Sequence, residues 1–505
     1  MKKVIGIIFA VCLIATMLGV SVFAADAPTS GIVLRISTTK KDGSTVVINE
    51  YTSFEDGWNA AMALASNPKE LNTNEYGRII VDFYSDWNAV DGEFTSDFFN
   101  GAGFDWDAIY IPQNVKVTLN LNGYTINRGL TSYQYNGEVI CIDKNADVII
   151  NEGTITGGWS CNGAGGIHVK DGGNIILNNV NFVGNTVEDD DGAAIALNNA
   201  TLVMTGGSFS NNVVYNTMGM AIFADLGSGT GRGVLYMNNS SAVLNGVTFN
   251  ENAAKYCNVL GSVLAVYSHS NLEMNDCVVE NNGFRDKEKD YVIPASILNA
   301  SGGSNVTIKN TVFKNNGNED HSSGRAENGV TVGSLFNIYG ASINVENCSF
   351  TGNDVDYLFY TYHAETTMSD CTITDNTAHV LFFSGGSAPV LFKNCTLKNN
   401  IYTGEVYITL PRGYISDTFH LLDIYKSDRP SLTFEDCIVE DATFNTEKYV
   451  TFKNSSETAA GSIFSEGSLS MVVSIAALVA SVAAIVVTIS SNKKKKAVAE
   501  TSDEE

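Results

Sequence analysis

The chain has 505 residues, 44% of them hydrophobic and 17% charged, with 46 glycines, only 7 prolines and a formal charge of −25. A field of that sign repels nucleic acid and polyuronates, both of which are held by basic tracks, so no nucleic-acid partner is expected. Its nine cysteines are too many to ignore and too unevenly placed to read at once as a disulfide framework.

Residues 1–24 have the form of a secretory signal peptide. Lys2 and Lys3 precede an apolar run from Val4 to Val20, and Val22-Phe23-Ala24 offers a small-residue cleavage site. Loss of those two lysines takes the formal charge from −25 to −27, because the four lysines of the C-terminal tail are matched by Glu500, Asp503, Glu504 and Glu505.

Residues 25–116 form an N-terminal cap region. Ser53-Phe54-Glu55-Asp56 reads as a capping box, and Trp58, Ala61, Met62, Leu64 and Ala65 lie on one helical face before Asn67-Pro68 stops the helix. A strand is expected from Arg78 to Tyr84. An open end of a stacked β-structure exposes unpaired strand edges, so a helix laid over it guards against end-to-end association.

Between 117 and 453 one motif recurs about eleven times, with apolar residues at positions 1, 3, 6 and 8 and asparagine at position 11. One copy runs from Ile175 to Asn185. The terminal asparagine returns as Asn185, Asn212, Asn252, Asn282, Asn316, Asn353, Asn376 and Asn400. The alternation breaks at positions 4 and 5, where the chain bends, and a further apolar strand such as Ser262-Val263-Leu264-Ala265-Val266 precedes most copies. The expectation is an all-β parallel β-helix of three short strands per coil and about eleven coils, on the order of 50 Å long. Asparagine tolerates the left-handed backbone region and carries both donor and acceptor, so stacked copies can bond along the axis as a ladder.

Position 6 is cysteine in Cys277, Cys348, Cys371, Cys395 and Cys437. These read as thiols packed on the inward face, with a disulfide framework as the alternative. Cys12 lies in the leader, while Cys141, Cys161 and Cys257 fall outside the column, and a bridge between Cys141 and Cys161 stays open.

Long insertions over 213–235, 283–294, 317–332 and 401–419 all follow the position-11 asparagine, which puts them on one edge. Loops gathered on one edge of a solenoid are often its binding surface. Arg285, Tyr291, Arg325, Tyr402, Tyr407, Arg412 and Tyr414 sit in them as candidate ligand-binding residues. Loops tolerated simply because they face water would look the same. A catalytic alternative rests on His168 and Lys170 on one coil, Asn198 on the next and Asp225 on the third, which stacking would bring within about 10 Å. The neighbouring turn carries Asp189, Asp190 and Asp191, a candidate calcium site, with no other cofactor expected. An acidic turn that is merely solvated, beside ordinary outward polar residues, fits the same pattern. The remaining histidines have no zinc-ligand spacing.

After a stem at 454–468, residues 469–490 are assigned as a transmembrane helix. The run 469–489 is 21 residues without a charge, enough at about 1.5 Å per residue to cross roughly 30 Å of hydrocarbon. Lys493 to Lys496 hold the tail, 491–505, inside, which predicts a single-pass type I protein of the cell membrane with the β-helix outside.

The tetrapeptides Phe182-Val183-Gly184-Asn185, Phe209-Ser210-Asn211-Asn212, Phe249-Asn250-Glu251-Asn252, Phe313-Lys314-Asn315-Asn316 and Phe350-Thr351-Gly352-Asn353 resemble the repeat of chlamydial polymorphic membrane proteins. Gly192-Ala193-Ala194-Ile195 and Gly219-Met220-Ala221-Ile222 are similar to its companion motif. Leu119 to Ile126 looks like the opening coil of bacterial right-handed β-helix surface proteins. The resemblance covers about 117–442 and implies the pectin-lyase-like fold and an adhesin-type role. It departs from that family at the C-terminus, where an apolar helix stands in place of an outer-membrane barrel. The expectation is an adhesin-like or glycan-interacting surface protein, with a calcium-dependent polysaccharide lyase or glycosidase, or a passive stalk, as alternatives.

Overall fold

The computed structural model describes residues 30–40, 42–67, 76–89, 109–188, 190–215, 233–255, 262–283, 296–317, 334–385, 388–402, 422–424, 432–440 and 450–457. Residues 1–457 form one compact unit and 458–505 a second, which lies wholly outside the described residues. The expected signal peptide, stem, membrane span and tail are therefore outside them too. Among the described residues no helix is long and apolar enough to cross a membrane.

The coil that begins at Ile167 gives the pattern. Ile167–Val169 turns Ile167 and Val169 inward, a tight turn at Lys170–Gly173 follows, and Asn174–Val183 runs on with a bend at Asn179. The bend is left-handed, φ 53°, which asparagine adopts at little cost. Ile175, Leu177, Val180 and Phe182 are all buried, as the spacing predicts. Past Gly184 and Asn185 comes an additional strand, Thr186–Glu188, before the chain climbs to Ile195–Asn198. The coil thus has a short fourth segment beyond the three strands expected.

Each segment pairs in parallel with its counterpart one coil away. Asn174–Val183 lies between Asp147–Thr156 and the strands Thr201–Thr205 and Ser208–Ser210, in unbroken register. Among the described residues the outcome is three sheets of 26, 12 and 4 strands. Where no insertion interrupts, the fourth segment and the next coil's first strand fuse into single nine-residue strands, Asp354–Tyr362 and Thr377–Gly385.

Three ladders satisfy the corners, where backbone groups turn inward without a strand partner. At one corner Asn185, Asn212, Asn252, Asn282, Asn316, Asn353, Asn376 and Asn400 stack in order. Each amide nitrogen donates to the next residue's Oδ1, at 3.1 Å from Asn185 to Asn212 and 2.8 Å from Asn353 to Asn376. At a second, Ser240, Ser270 and Ser304 accept backbone N–H groups of the coil before, as in Ala200 N to Ser240 Oγ at 3.0 Å. At the third stands the cysteine column. Cys277, Cys348, Cys371, Cys395 and Cys437 are buried, and they do more than fill space. Thr311 N donates to Cys348 Sγ at 3.4 Å and Cys395 N to Cys437 Sγ at 3.3 Å, while Thr311 and Ser455 fill the same role with hydroxyls. These five cysteines and Cys141 are free thiols, so the bridge between Cys141 and Cys161 is not formed. The outward asparagines also stack, as in Asn178 Nδ2 to Asn151 Oδ1 at 2.7 Å.

Inside, position 8 forms an apolar column. Phe182, Phe209 and Phe249 stack at 5.1 and 4.6 Å between ring centres, and Phe313 on Phe350 at 5.1 Å, all fully buried. Burying each ring stabilises the stack by roughly 1.5–3 kcal/mol.

The N-terminal end is closed by a hairpin, Leu34–Lys40 with Thr45–Tyr51, whose first strand pairs antiparallel with Tyr76–Phe83. Tyr76–Phe83 in turn pairs in parallel with Lys116–Asn120, so the stack begins here. The helix Phe54–Ser66 buries Trp58, Ala61 and Met62 against this end, and Ser53 Oγ accepts the Asp56 N–H at 3.3 Å as its cap. Gly57 is needed there, since a Cβ would sit 2.9 Å from Leu34 Cδ1.

Candidate functional site

Stacking brings Tyr110, Cys141, His168 and Ala196 into one outward row on successive strands of the 12-stranded sheet. The row continues through Tyr236, Ala265 and Asn299. Simple alternation makes this the solvent face, yet Cys141, Ala196, Tyr236 and Ala265 are all buried, and Ala164, Ala196, Tyr236, Ala265 and Tyr267 form a small apolar cluster of their own. The sheet therefore has a second covered layer outside the coil.

Polar groups collect at its N-terminal end. Lys170 and Glu138 flank Cys141, whose thiol is within hydrogen-bonding distance of both. Tyr110 donates its hydroxyl to Asp143 Oδ2. Asn198 Nδ2 lies 3.3 Å from His168 Nε2, an arrangement that fits a neutral imidazole with its proton on Nδ1. Burial, and then the charge of Lys170, pull His168 down to about 4. Burial pushes Glu138 up to about 7, against the opposing pull of its own backbone N–H, Lys170, Arg128 and the Cys141 thiol. Its Oε2 has no hydrogen-bond partner. For Lys170 burial acts downward, but Cys141, Asp143 and Glu138 outweigh it and hold the ammonium above its ordinary value. Burial also drives the Cys141 thiol well up, so it is no ready nucleophile. The cluster can therefore donate and accept a proton near neutral pH through Glu138, beside a fixed cation and a neutral imidazole.

Of the residues expected to act together, His168, Lys170 and Asn198 are brought together, and Asp225 lies outside the described residues. Glu138, Cys141 and Asp143, all from the coil before His168, and Tyr110, from the coil before that, join them with no local signal in the sequence. In the acidic turn, Asp190 Oδ2 accepts the Gly163 N–H at 2.7 Å and Asp191 bonds the Tyr236 hydroxyl, while Asp189 lies outside the described residues. Among the described residues no three His, Cys, Asp or Glu side chains are grouped to hold a metal ion. Arg285, Tyr291, Arg325, Tyr407, Arg412 and Tyr414 also lie outside. The backbone of Tyr402 pairs with Ala378, and its side chain is not described. An apolar void under the helix, lined by Leu34, Phe54, Trp58, Phe83, Trp87 and Ile109, belongs to the cap and offers no comparable set of polar groups.

A family model described as the right handed beta helix region matches residues 295–409 and again 339–492. The chain carries a right-handed β-helix. No curated protein and no solved structure matches it. The matched stretches of the β-helix begin at the coil of Ser296–Ser301, so the coils bearing the polar cluster precede them.

Proposed function

We propose that this β-helix is displayed outside a cell membrane, tethered through 469–490, and binds a glycan or a host surface along one edge in the manner of an adhesin. The observation that carries the reading is where the coils are interrupted. The chain leaves after Val213–Tyr215, Ala253–Lys255, Gly283, Gly317 and Ile401–Tyr402 and resumes at Gly233, Ser262, Ser296, Ser334 and Leu422. The departures follow the asparagine ladder on the way to the 12-stranded sheet, so the points where the chain leaves and returns share one edge while the coil hydrogen bonding continues without the inserted residues. Gly317 itself bonds Asn282 O at 2.8 Å and belongs to the coil, so the insertion proper starts at 318. Deleting 318–327, or replacing Tyr402 and Tyr414 by alanine, is expected to reduce attachment to glycan or host-cell surfaces with the circular-dichroism spectrum unchanged. Undiminished attachment by both variants refutes the reading.

The Glu138, His168 and Lys170 cluster favours a second reading, a calcium-dependent lyase or glycosidase. Polysaccharide cleavage that requires calcium and disappears in Lys170→Ala or His168→Ala would replace the first reading with this one. A folded protein with neither attachment nor cleavage is a passive stalk.

A further inference from the structure

The four-stranded sheet of Trp159–Ser160, Thr186–Glu188, Val213–Tyr215 and Ala253–Lys255 has an inner face of Ser160, Val187 and Val214, all buried. Its other face carries Trp159, Thr186, Glu188, Val213 and Tyr215. Gln134 forms a parallel bridge with Ser160 at the sheet's N-terminal edge, and residues flanking a bridged pair share a face. Tyr133, Gln134 and Tyr135 are all exposed, so the two tyrosines stand on the open surface next to Trp159. They are 56% and 64% exposed, more than any other large hydrophobic side chain among the described residues except Ile401 at 61%.

Isolated exposed rings are ordinary, but the backbone that carries these is bonded to the next coil. Gln134 N donates to Trp159 O at 3.0 Å, Cys161 N to Gln134 O at 3.1 Å and Trp159 N to Gly137 O at 3.0 Å. Asn162 Nδ2 bonds Asn136 Oδ1 at 2.6 Å. Trp159 is tied to the next coil through Nε1 to Glu188 Oε2 at 3.1 Å, and Tyr215 stands opposite Glu188 one coil further on. Aromatic residues thus recur along the axis at Tyr133 and Tyr135, at Trp159 and at Tyr215. Trp159 and Tyr215 are two coils apart, about 10 Å along the axis, and Tyr215 is displaced by two residues from the row of Trp159, which is in register with Thr186 and Val213. Between them lies Thr186, while the Glu188 carboxylate is buried and taken up by Trp159 Nε1. Beside Tyr135, Asn136 Nδ2 is buried and has no hydrogen-bond partner.

From this juxtaposition we infer that the outer face of the four-stranded sheet, with Tyr133 and Tyr135 at its head, is a binding track for a linear neutral polysaccharide laid along the coil axis. Rigid rings offer flat apolar area to the C–H face of a sugar at little entropic cost, and the interleaved polar groups offer partners for its hydroxyls. The net negative charge turns away anionic chains. The inference rests on the glycan-binding reading but places binding on the sheet rather than in the insertions.

The test uses the full chain in affinity electrophoresis through gels containing a soluble β-glucan, a mannan or a dextran, with polygalacturonate as the anionic comparison. Wild type is expected to be retarded by at least one neutral polymer and not by polygalacturonate. Tyr133→Ala with Tyr135→Ala should weaken retention about tenfold, and Tyr133→Phe with Tyr135→Phe should stay within about twofold of wild type, since the ring face and not the hydroxyl makes the contact. Trp159→Ala should also lose retention, but that side chain is half-buried, so the exposed tyrosine pair decides. No retention of wild type by any neutral polymer, preference for polygalacturonate, or a double-alanine variant that binds like wild type overturns the inference. If that variant is unaffected while deletion of 318–327 abolishes attachment, the track is wrong and the insertion edge stands. The reverse pattern keeps the track and removes the edge.

Discussion

Replacing Asn353 by alanine should destabilise the stack far more than any outward asparagine change. Its Nδ2 donates to Asn376 Oδ1 at 2.8 Å and Phe313 O at 3.0 Å, and its Oδ1 accepts both Asn316 N at 3.0 Å and Asn316 Nδ2 at 2.9 Å. Asn376 Oδ1 keeps the Asn353 backbone N–H, so the acceptor above is not orphaned. Below, Asn316 loses the partner of its backbone N–H and of one amide hydrogen, in a place water does not reach. Two stranded donors at about 1–3 kcal/mol each give roughly 2–6 kcal/mol. Asn178→Ala removes one donated bond at a half-buried position that water can refill, at a cost of about 1 kcal/mol or less. Denaturant unfolding of the purified protein compares the two variants, and amide hydrogen exchange at Asn316 localises the damage, because a solenoid can open in part without melting as a whole. Equal destabilisation by the two variants, with Asn316 still fully protected in Asn353→Ala, would show that the inward ladder carries no more energy than the outward one.

The cysteine column should be reduced, so denatured protein is expected to alkylate at Cys348, Cys371 and Cys395 without prior reduction; protection of all three would reveal disulfides along the column. Glu138 and His168 should tilt stability in opposite directions. Glu138, raised to about 7, favours the folded state fully below its unfolded value near 4.5, and that contribution is lost as pH climbs to 7; Glu138→Gln removes the slope. His168, lowered to about 4, contributes stability above about 6.5 that is lost as pH falls toward 4, and His168→Gln should flatten that limb; unchanged pH–stability curves in both variants contradict the burial of these groups. Protease added to intact cells should remove the β-helix and leave a small anchored fragment, whereas a protected β-helix, or release of the whole chain by a salt wash, rules out the proposed topology.

The repeat was legible because its core is periodic. The apolar positions of Ile175 to Phe182 and the asparagine after them recur with fixed spacing, and every turn of the motif adds the same evidence. The fourth segment escaped because it is two or three residues long and contributes one inward side chain, Ser160, Val187 or Val214, too little for a period. The serine ladder escaped because Ser240, Ser270 and Ser304 look like ordinary turn residues. Cysteine at position 6 was legible as an inward residue, but not as an acceptor for backbone N–H groups, since packing and hydrogen bonding favour the same small side chain. His168, Lys170 and Asn198 could be placed together from coil stacking alone. Glu138 and Asp143 could not, because they sit at strand ends where turn geometry, not alternation, sets direction.

The two coils without insertions bear on how such a chain changes length. Asn353 and Asn376 are 23 residues apart and Asn376 and Asn400 are 24 apart, yet each step closes the same ladder with the same bonds. Excising 354–376 would bring Asn353 against Asn400, Cys348 against Cys395 and Phe350 against Leu397, with every corner still matched in kind. A unit of that sort can be lost or duplicated in one recombination event without disturbing its neighbours. If the chain is tethered as proposed, each such step changes the reach of the β-helix from its anchor by one coil, about 4.8 Å.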